Sequence, residues 1–229
     1  MSTATIFGGG FGLYGYISAL KAAGFKNFIV STRHKNLMQN RKNLSSHLND
    51  CYFAKDVDMI SLHSDLTVFA VNPRKQGDLI NDFIKKTPTK MLLLEKPLGV
   101  DANISMQLAS TLKDNRINYH CNYIFSYTTW FQDLLTQCSE CDNIEIDWSF
   151  RAHHFTNNID TWKRVATEGG GAIRFYGIHL IYIASLLGFC FVKKSEVKLN
   201  SSGDEVSWSC TLEDGTRRKL SLNLNTCAV

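Results

Sequence analysis

The segment Met91-Leu92-Leu93-Leu94-Glu95-Lys96-Pro97-Leu98 is the most informative part of the chain. A short run of large aliphatic residues that ends at a charge and a proline is typical of a buried parallel strand that stops abruptly. The pattern places Lys96 at the carboxyl edge of a sheet, which is where ligands bind in open α/β sheets. The alternative is that Lys96 is an ordinary surface charge at the end of a strand.

The N-terminal segment predicts a second part of the same edge. A first strand at 4–7 leads into the glycine-rich stretch 8–15, with G-x-G-x-x-G at 10–15, and a helix is expected at 16–23. Such glycines allow a tight turn, close approach of a pyrophosphate to the backbone and close helix packing, with the phosphates at the helix N-terminus. A glycine-rich turn without a ligand is the alternative. The predicted cofactor-binding residues of this stretch are Gly8, Gly10, Phe11, Gly12, Leu13 and Gly15.

The residues after the second strand, at 28–30, indicate which dinucleotide would bind. They read Ser31-Thr32-Arg33-His34-Lys35, with no carboxylate nearby in the sequence. An acidic residue here would bind the 2′-hydroxyl of the adenine ribose, whereas an arginine accommodates a 2′-phosphate. Two hydroxyls and a guanidinium suit a phosphate dianion. Ser31, Thr32 and Arg33 therefore predict NADP, with NAD less favoured, and a solvated basic turn is the alternative.

Length and composition limit the classes of protein to consider. The 229 residues, 44% of them hydrophobic, suffice for one large or two small domains. No apolar stretch reaches the ~20 residues of a membrane span, and no signal sequence is expected at the N-terminus. The net charge of +4 is spread along the chain, unlike the basic stripe of a nucleic-acid-binding protein. Seven cysteines, an odd number, favour reduced thiols in the cytoplasm. We therefore predict a cytoplasmic protein without a membrane or nucleic-acid partner.

Cys138 and Cys141 form a C-x-x-C motif that a zinc or redox protein would also contain. No second pair with ligand spacing follows, and the motif lies outside any thioredoxin-like pattern. His153 and His154 are adjacent, so on a strand at most one of them would face such a site. A metal or redox function is therefore a lesser alternative, and no metal site is predicted.

The order of predicted elements changes near residue 122, which indicates two domains. In residues 1–121 strands and helices alternate, which predicts an α/β domain with a doubly wound, mostly parallel Rossmann sheet that binds a dinucleotide. Besides the elements above, this domain has predicted strands at 66–71, 91–94 and 118–123 and predicted helices at 75–86 and 102–114.

Residues 122–229 predict a different architecture, an α+β domain with an open, mainly antiparallel sheet. The Asp214-Gly215 pair predicts a hairpin turn between the last two strands, and Gly188 is expected to end a long apolar helix at Leu187. The other predicted elements are a helix at 128–135 and strands at 144–150, 197–199, 205–212 and 219–224.

Several motifs in this order resemble the Gfo/Idh/MocA oxidoreductases, the relatives of glucose-fructose oxidoreductase and inositol dehydrogenase. The resemblance implies hydride transfer between a nicotinamide and a secondary alcohol, commonly on a sugar, nucleotide sugar or cyclitol. It also implies that the second domain binds substrate and often forms oligomers through its open sheet. The motifs are the glycine stretch 10–15, Asn72-Pro73, Glu95-Lys96-Pro97-Leu98, Trp162-Lys163, and Gly169-Gly170-Gly171-Ala172 leading to Gly177-Ile178-His179.

The resemblance also assigns roles to individual residues. Lys96 would lie near both cofactor and substrate, and His179 would act as a proton relay or substrate ligand. A buried histidine with a satisfied hydrogen bond remains the alternative for His179. The resemblance adds Asn72, Pro73, Glu95 and Lys96 to the cofactor site, and gives as substrate contacts Lys96, Asn122, Trp162, Lys163 and His179.

Two positions depart from the family pattern. Phe175 stands where family members usually have an aspartate four residues before the histidine, and Ile124 stands near a usual arginine. A phenyl ring neither accepts a proton nor orients an imidazole, so acid–base catalysis would depend on Lys96, His179 and Tyr176. These departures keep open a non-catalytic alternative, in which the protein binds a dinucleotide or sugar as a sensor or scaffold. The chain is also shorter than family members, and the sheet edge this would expose predicts a homo-oligomer or else a fragment of marginal stability.

Overall fold

The chain divides into two compact units, a first unit Met1–Asn122 and a second unit Tyr123–Val229. The division lies one residue beyond the predicted boundary at 121/122. The structure is a computed structural model that describes residues 2–59, 62–86, 91–138 and 141–228. Each unit is built around its own sheet.

The first unit contains, among the described residues, a six-stranded sheet in the order β3-β2-β1-β4-β5-β6. All neighbouring strands pair in parallel, which confirms the predicted doubly wound Rossmann sheet. The order reverses between β1 and β4, and in such sheets this switch point opens the ligand-binding crevice. The strands are β1 Thr3–Phe7, β2 Asn27–Ser31, β3 Cys51–Ala54, β4 Leu66–Phe69, β5 Leu92–Leu94 and β6 Tyr119–Cys121.

Helices cover both faces of this sheet, because successive side chains of its central strands point to opposite sides. Phe7 and Phe69 belong to one hydrophobic core and Ile6 and Val68 to another. The helices are α1 Ile17–Ala22, α2 Lys35–Asn40, α3 Lys42–Ser45, α4 Asp56–Met59, α5 Pro73–Lys86 and α6 Ala102–Asp114.

The second unit has a mixed four-stranded sheet in the order β7-β10-β9-β8. The β10–β7 pair is parallel and the other two pairs are antiparallel, as predicted for an open, mainly antiparallel sheet. Alternate residues of β9 and β10 are buried in one core, whereas all nine residues of β8 are exposed. The strands are β7 Asn143–Ser149, β8 Phe191–Leu199, β9 Glu205–Glu213 and β10 Lys219–Asn225.

The helices of the second unit include the predicted apolar helix, which ends one residue earlier than expected. It ends at Leu186, and Gly188 follows with a φ of +87°, the conformation that favours glycine after a helix. The strand predicted at 197–199 begins at Phe191, because β9 continues to Glu213 and pairs with these residues. No helix among the described residues is long and apolar enough to cross a membrane. The helices are α7 Thr129–Gln137, α8 His153–Thr156 and α9 Ile178–Leu186.

Candidate functional site

The turn after β1 lies at the switch point of the first sheet. Gly8 has a φ of +126°, and a Cβ atom there would lie 2.0 Å from the carbonyl oxygen of Ala70, just past β4. The amide of Ala70 donates to the carbonyl of Phe7 at 2.8 Å. Only glycine therefore allows the end of β1 to pass this close to the end of β4.

The helix after this turn begins earlier than predicted, so the prediction of a start at residue 16 is wrong. The chain is already helical at Gly10, and the amide of Leu13 donates to the carbonyl of Gly9 at 3.1 Å. Gly12 and Gly15 lie in a π-helical turn, Gly12–Tyr16, that runs into α1. A Cβ atom at Gly15 would meet the Phe11 ring at 2.6 Å, so this glycine serves helix packing.

The geometry of the turn fits a pyrophosphate. No heavy atom of the described residues lies within 4 Å of a Cβ placed on Gly10, so space is open at the helix start. The first amides of a helix lack intrahelical partners and attract anions. Phe11 beside them is 48% exposed, whereas Leu13 is fully buried and offers only its backbone.

The end of β2 differs from the sequence-based interpretation. Ser31 is buried, and its hydroxyl accepts from the Arg33 amide at 3.3 Å, while the Arg33 and Thr32 side chains are exposed. Arg33 Nη1 lies 3.0 Å from Asp56 Oδ2. No carboxylate lies near this turn in the sequence, but Asp56 reaches it in space from the start of α4, after the neighbouring strand β3.

His34 lies against the glycine turn. Its Cε1 would be 2.9 Å from a Cβ atom on Gly9, and its Nε2 accepts from Arg33 Nε at 3.3 Å. Burial, and then the charge of Arg33, lower the pKa of His34. A neutral imidazole therefore borders the candidate phosphate site near neutral pH.

A buried side chain, Gln76 of α5, holds the backbone around Lys96. Gln76 Nε2 donates to the carbonyls of Glu95 at 2.8 Å and Leu98 at 3.1 Å, and its Oε1 accepts from the Glu95 amide at 2.9 Å. The Lys96–Pro97 peptide bond is cis. These contacts fix the segment after β5 at the carboxyl edge of the sheet.

Asn72 and Pro73 lie at the start of α5. Pro73 is buried at the first helical position, where its missing N–H has no cost. Asn72 Oδ1 accepts from the Lys75 amide at 2.9 Å and so caps the helix. The pair thereby places the helix that carries Gln76.

The Glu95 carboxylate belongs to a polar network at the same edge. Tyr16 donates its hydroxyl proton to Glu95 Oε1, and Asn122 Nδ2 donates to the Tyr16 oxygen at 2.8 Å. Burial raises the pKa of Glu95, opposed by the Tyr16 hydrogen bond and the Lys96 charge. Burial and the Glu95 charge also raise the pKa of Tyr16. The first unit thus brings the predicted residues Glu95 and Asn122 together through Tyr16.

In the second unit His179 lies among aromatic rings. It is 4% exposed, stacks on Phe125 with ring centroids 4.6 Å apart, and meets Tyr123 and Trp148 edge-on at 6.3 Å. Ile124, near the expected arginine position, is 47% exposed.

Tyr176 contacts a different histidine. Its hydroxyl lies 3.4 Å from both ring nitrogens of His154, and its ring packs edge-on against Phe150 at 4.8 Å. Burial, followed by the charges of Lys163 and His153, lowers the pKa of His154 to about 4. Burial raises the pKa of Tyr176 to about 12. A neutral imidazole and a protonated phenol therefore face each other near neutral pH.

Phe175 lies among the other predicted substrate-binding residues. Its ring meets Trp162 at 5.3 Å and His154 at 5.9 Å, and Lys163 Nζ lies 5.1 Å from its centroid. The position where an aspartate was expected is thus packed by rings and a cation.

The C-x-x-C alternative gains no support from the described residues. Among them, no group of three or more metal-binding side chains comes together, and no disulfide joins two cysteines. Ser139 and Glu140, inside the motif, lie outside the described residues.

Comparison with solved structures identifies the fold. A dehydrogenase, MviM, from Clostridium difficile matches all of this chain with 12% identity and a TM-score of 0.77, over 71% of its own length. GenD2 from gentamicin A biosynthesis, in complex with NAD, matches with 17% identity, a TM-score of 0.76 and 66% of its length. KijD10, a 3-ketoreductase from Actinomadura kijaniata in complex with NADP and TDP-benzene, matches with 13% identity, a TM-score of 0.77 and 71% of its length. The chain has the fold of the Gfo/Idh/MocA oxidoreductases.

The comparison extends no further than the Gfo/Idh/MocA fold. No protein-family model and no curated protein matches the sequence. The chain spans only 63–65% of the length of several other solved structures that it matches over 99–100% of its own length.

On this Gfo/Idh/MocA fold, four residues with site contacts were absent from the sequence-based site. Tyr16, Gln76 and Asp56 carry no motif, and His154 was weighed only as a metal ligand. Their partners are distant in sequence: Tyr16 and Glu95 are 79 residues apart. One signal was available in the sequence. Gln76 lies on the buried face of a predicted helix, and a buried glutamine side chain requires hydrogen-bond partners.

Proposed function

We propose that the protein is an NAD(P)-dependent oxidoreductase that transfers a hydride between a nicotinamide and a carbonyl, alcohol or imine of a small polar metabolite, such as a sugar or nucleotide sugar. One observation carries the proposal: the glycine turn after β1 and the Lys96 segment after β5 follow the carboxyl ends of strands that both flank β4. GenD2 in complex with NAD and KijD10 in complex with NADP support a dinucleotide cofactor on this fold.

The residues of this chain take distinct roles in the proposed reaction. The bound dinucleotide supplies or accepts the hydride. The turn from Gly8 to Gly10 and the amides after it receive the pyrophosphate, and Asn72 and Pro73 border the nicotinamide. Lys96 holds the charge that develops on the substrate oxygen and exchanges its proton.

The second unit contributes further candidates, with His179 and Tyr176 for acid–base catalysis and Trp162 and Lys163 for substrate binding. Asn122, the last residue of the first unit, is also proposed to bind substrate. The hydrogen bond from Asn122 to Tyr16 places this amide at the end of the Glu95 network. We therefore group Asn122 with Glu95 and Lys96 in the proposed site.

NADP is the proposed cofactor in preference to NAD. Thr32 and Arg33 are exposed at the end of β2, where a 2′-phosphate would lie. A guanidinium carries five N–H donors, so the contacts of Arg33 with Asp56 and His34 engage only part of it. Asp56 weakens this preference, because its charge already pairs with the guanidinium.

A titration with NADPH and NADH, followed by nicotinamide fluorescence, tests the cofactor proposal. We expect micromolar binding of NADPH and weaker binding of NADH. Gly10→Ala should leave folding intact but weaken NADPH binding by about tenfold or more, because the methyl group enters the open space at the helix start. Gly215→Ala, at another open position in the second unit, is the matched control. If neither dinucleotide binds at millimolar concentration, the oxidoreductase proposal is wrong.

A non-catalytic relative that binds a dinucleotide or sugar as a sensor or scaffold is the second candidate. The aromatic packing around Phe175 favours it, because no carboxylate can act there. Lys96→Ala distinguishes the two: an enzyme loses turnover while keeping its NADPH affinity. A wild-type protein that binds NADPH but reduces no member of a carbonyl and imine panel would support the non-catalytic candidate.

The proposal includes a homo-oligomer formed through the sheet of the second unit. The edge strand β8 is exposed throughout, with Val192 61% and Leu199 62% exposed. Unpaired strand edges with apolar side chains favour pairing with another chain. Sedimentation at micromolar concentration should show a dimer or larger species, and a monomer at that concentration would contradict the proposed oligomer.

The seven cysteines favour the cytoplasm as the proposed location of the protein.

A further inference from the structure

The hydroxyl of Tyr16 has a defined direction in its hydrogen bonds. Tyr16 is 6% exposed, and its ring packs edge-on against Phe11 at 5.3 Å. Asn122 Nδ2 donates to the Tyr16 oxygen at 2.8 Å, so this oxygen already accepts. A phenol has one proton to donate, and the Tyr16 proton goes to Glu95 Oε1. The chain of donors therefore runs from Asn122 through Tyr16 to Glu95.

The Glu95 carboxylate receives this bond in a position from which it cannot easily turn. Its backbone amide and carbonyl are held by Gln76, and the Cys121 thiol also donates to that carbonyl at 3.7 Å. Besides Tyr16, the Asn122 side chain and the Lys96 backbone donate to the carboxylate. The titratable groups that act on Glu95 or its phenol partner are Tyr16, Lys96 and Cys121.

These contacts oppose the effect of burial. Taking a carboxylate out of water favours its neutral form, whereas hydrogen bonds to the charged form and a nearby cation favour the anion. Tyr16 and Lys96 supply these two effects. Losing the Tyr16 proton donor would therefore raise the pKa of Glu95 further and weaken the anion beside Lys96.

We propose that Tyr16 is a positioning residue: it holds Glu95 as the anion that keeps Lys96 protonated, with Asn122 setting the direction of the Tyr16 hydroxyl. This inference rests on the proposed function for its meaning in catalysis. It also assigns the Glu95 carboxylate to Tyr16 and Lys96 in place of the predicted contact with the cofactor.

The experiment measures the protonation of Lys96 without cofactor or substrate. Trace labelling with acetic anhydride across a pH series, read by peptide mass spectrometry, gives the pH at which Lys96 becomes reactive. In Tyr16→Phe, which keeps the ring, we expect this midpoint to move to lower pH by about one unit, because the anionic neighbour is weakened. Glu95→Gln should move it in the same direction. Tyr52→Phe, which removes an exposed hydroxyl on β3, should leave it unchanged.

The combined variant gives a second test. Because Tyr16 is inferred to act through Glu95, Tyr16→Phe in the Glu95→Gln background should add no further shift. Equal Lys96 midpoints in the wild type, Tyr16→Phe and Glu95→Gln would overturn the inference. If Tyr16→Phe fails to fold, as judged by circular dichroism, the Glu95→Gln midpoint alone decides it: an unshifted midpoint overturns the inference.

Turnover then separates this inference from the proposed function. With an active wild type, Tyr16→Phe should lower kcat by about tenfold and move the alkaline limb of the pH profile to lower pH, with NADPH affinity kept. A shift in labelling without turnover in any variant would support the inference and contradict the proposed function. Turnover with unchanged labelling midpoints would support the proposed function and contradict the inference.

Discussion

The two units hold their titratable side chains in different ways. In the first unit Gln76 binds the backbone of Glu95 at 2.8 and 2.9 Å, Tyr16 donates to its carboxylate, and Asn122 donates to Tyr16 at 2.8 Å. In the second unit His179 is stacked on Phe125 with ring centroids 4.6 Å apart. A hydrogen bond fixes the position and the protonation state of the atom that it binds. Ring contacts fix the plane of a side chain and exclude water from it. We therefore expect the first region to tolerate substitution less than the second.

Gly8→Ala should have the largest effect, because it breaks the backbone arrangement of the first region. The added Cβ would lie 2.0 Å from the Ala70 carbonyl oxygen, and the φ of +126° is strained for alanine. We expect a loss of at least about 3 kcal/mol in the free energy of unfolding, measured in urea. Gly24→Ala measures the cost of backbone strain alone. The φ of Gly24 is +96°, but apart from its chain neighbours no described heavy atom lies within 4 Å of a Cβ placed there. A loss for Gly8→Ala no larger than for Gly24→Ala would show that the close approach of β1 and β4 is unimportant.

Gln76→Leu should have the next largest effect, a loss of about 3 kcal/mol in the free energy of unfolding. The substitution introduces an apolar side chain of similar size and leaves the partly buried amide and carbonyl of Glu95 and the buried carbonyl of Leu98 without this partner. Urea unfolding measures the loss, and Asn81→Ala on the exposed side of the same helix is the control. A loss below that of the control would contradict the idea that hydrogen bonds hold the first region.

Phe125→Leu should lower the free energy of unfolding by less, about 1–2 kcal/mol, although Phe125 contacts three rings. It stacks on His179 and meets Trp148 and Trp130 edge-on, and each such contact adds about 0.5–1.5 kcal/mol beyond burial, partly replaced by the leucine. The measurement is again urea unfolding. A loss exceeding that of Gln76→Leu would reverse the comparison between the two regions.

His154 should give a small, pH-dependent effect confined to acid. Its pKa falls to about 4 in the folded protein, below the about 6.5 of an unfolded chain. Between these values the unfolded state binds more protons, so the free energy of unfolding decreases as pH falls, by at most about 1.4 kcal/mol per pH unit.

Urea unfolding at pH 7.5, 6.0 and 5.0 compares the wild type with His154→Gln and His153→Gln. His153 is the exposed neighbour and contributes less than burial and Lys163 to the lowered pKa of His154, so His153→Gln should keep most of the wild-type slope. His154→Gln should flatten it. Equal slopes for all three proteins would mean that His154 is not held neutral by the ring packing.

The sequence predicted the sheets better than the contacts between side chains. Patterns of apolar residues and glycines are local, and they located five strands of the parallel sheet and the Lys96 segment. They missed β3, whose Cys-Tyr-Phe-Ala segment shows no clear alternation, and the start of β8, whose apolar Phe191 and Val192 continue a helical stretch. The helix after the glycine turn was placed six residues late, at residue 16 instead of 10, because five glycines from Gly8 to Gly15 gave no helical signal.

The contacts of the candidate site depend on residues far apart in the chain. Tyr16, Glu95 and Asn122 meet only because β1, β4, β5 and β6 lie side by side. Likewise, Asp56 reaches Arg33 across the β2–β3 pair, which no local pattern indicates. Residue types with chemical roles can be listed from sequence, but their hydrogen-bond partners follow from strand order.

The ion pair between Arg33 and Asp56 has an evolutionary consequence. It places a cation and an anion 3.0 Å apart beside the strand whose end selects between the two dinucleotides. Under the proposed function, a single codon change that removes Arg33 would leave a carboxylate near the adenine ribose. The two cofactor preferences are then neighbours in sequence space, separated by one substitution, and closely related proteins on this scaffold could differ in cofactor without differing in fold.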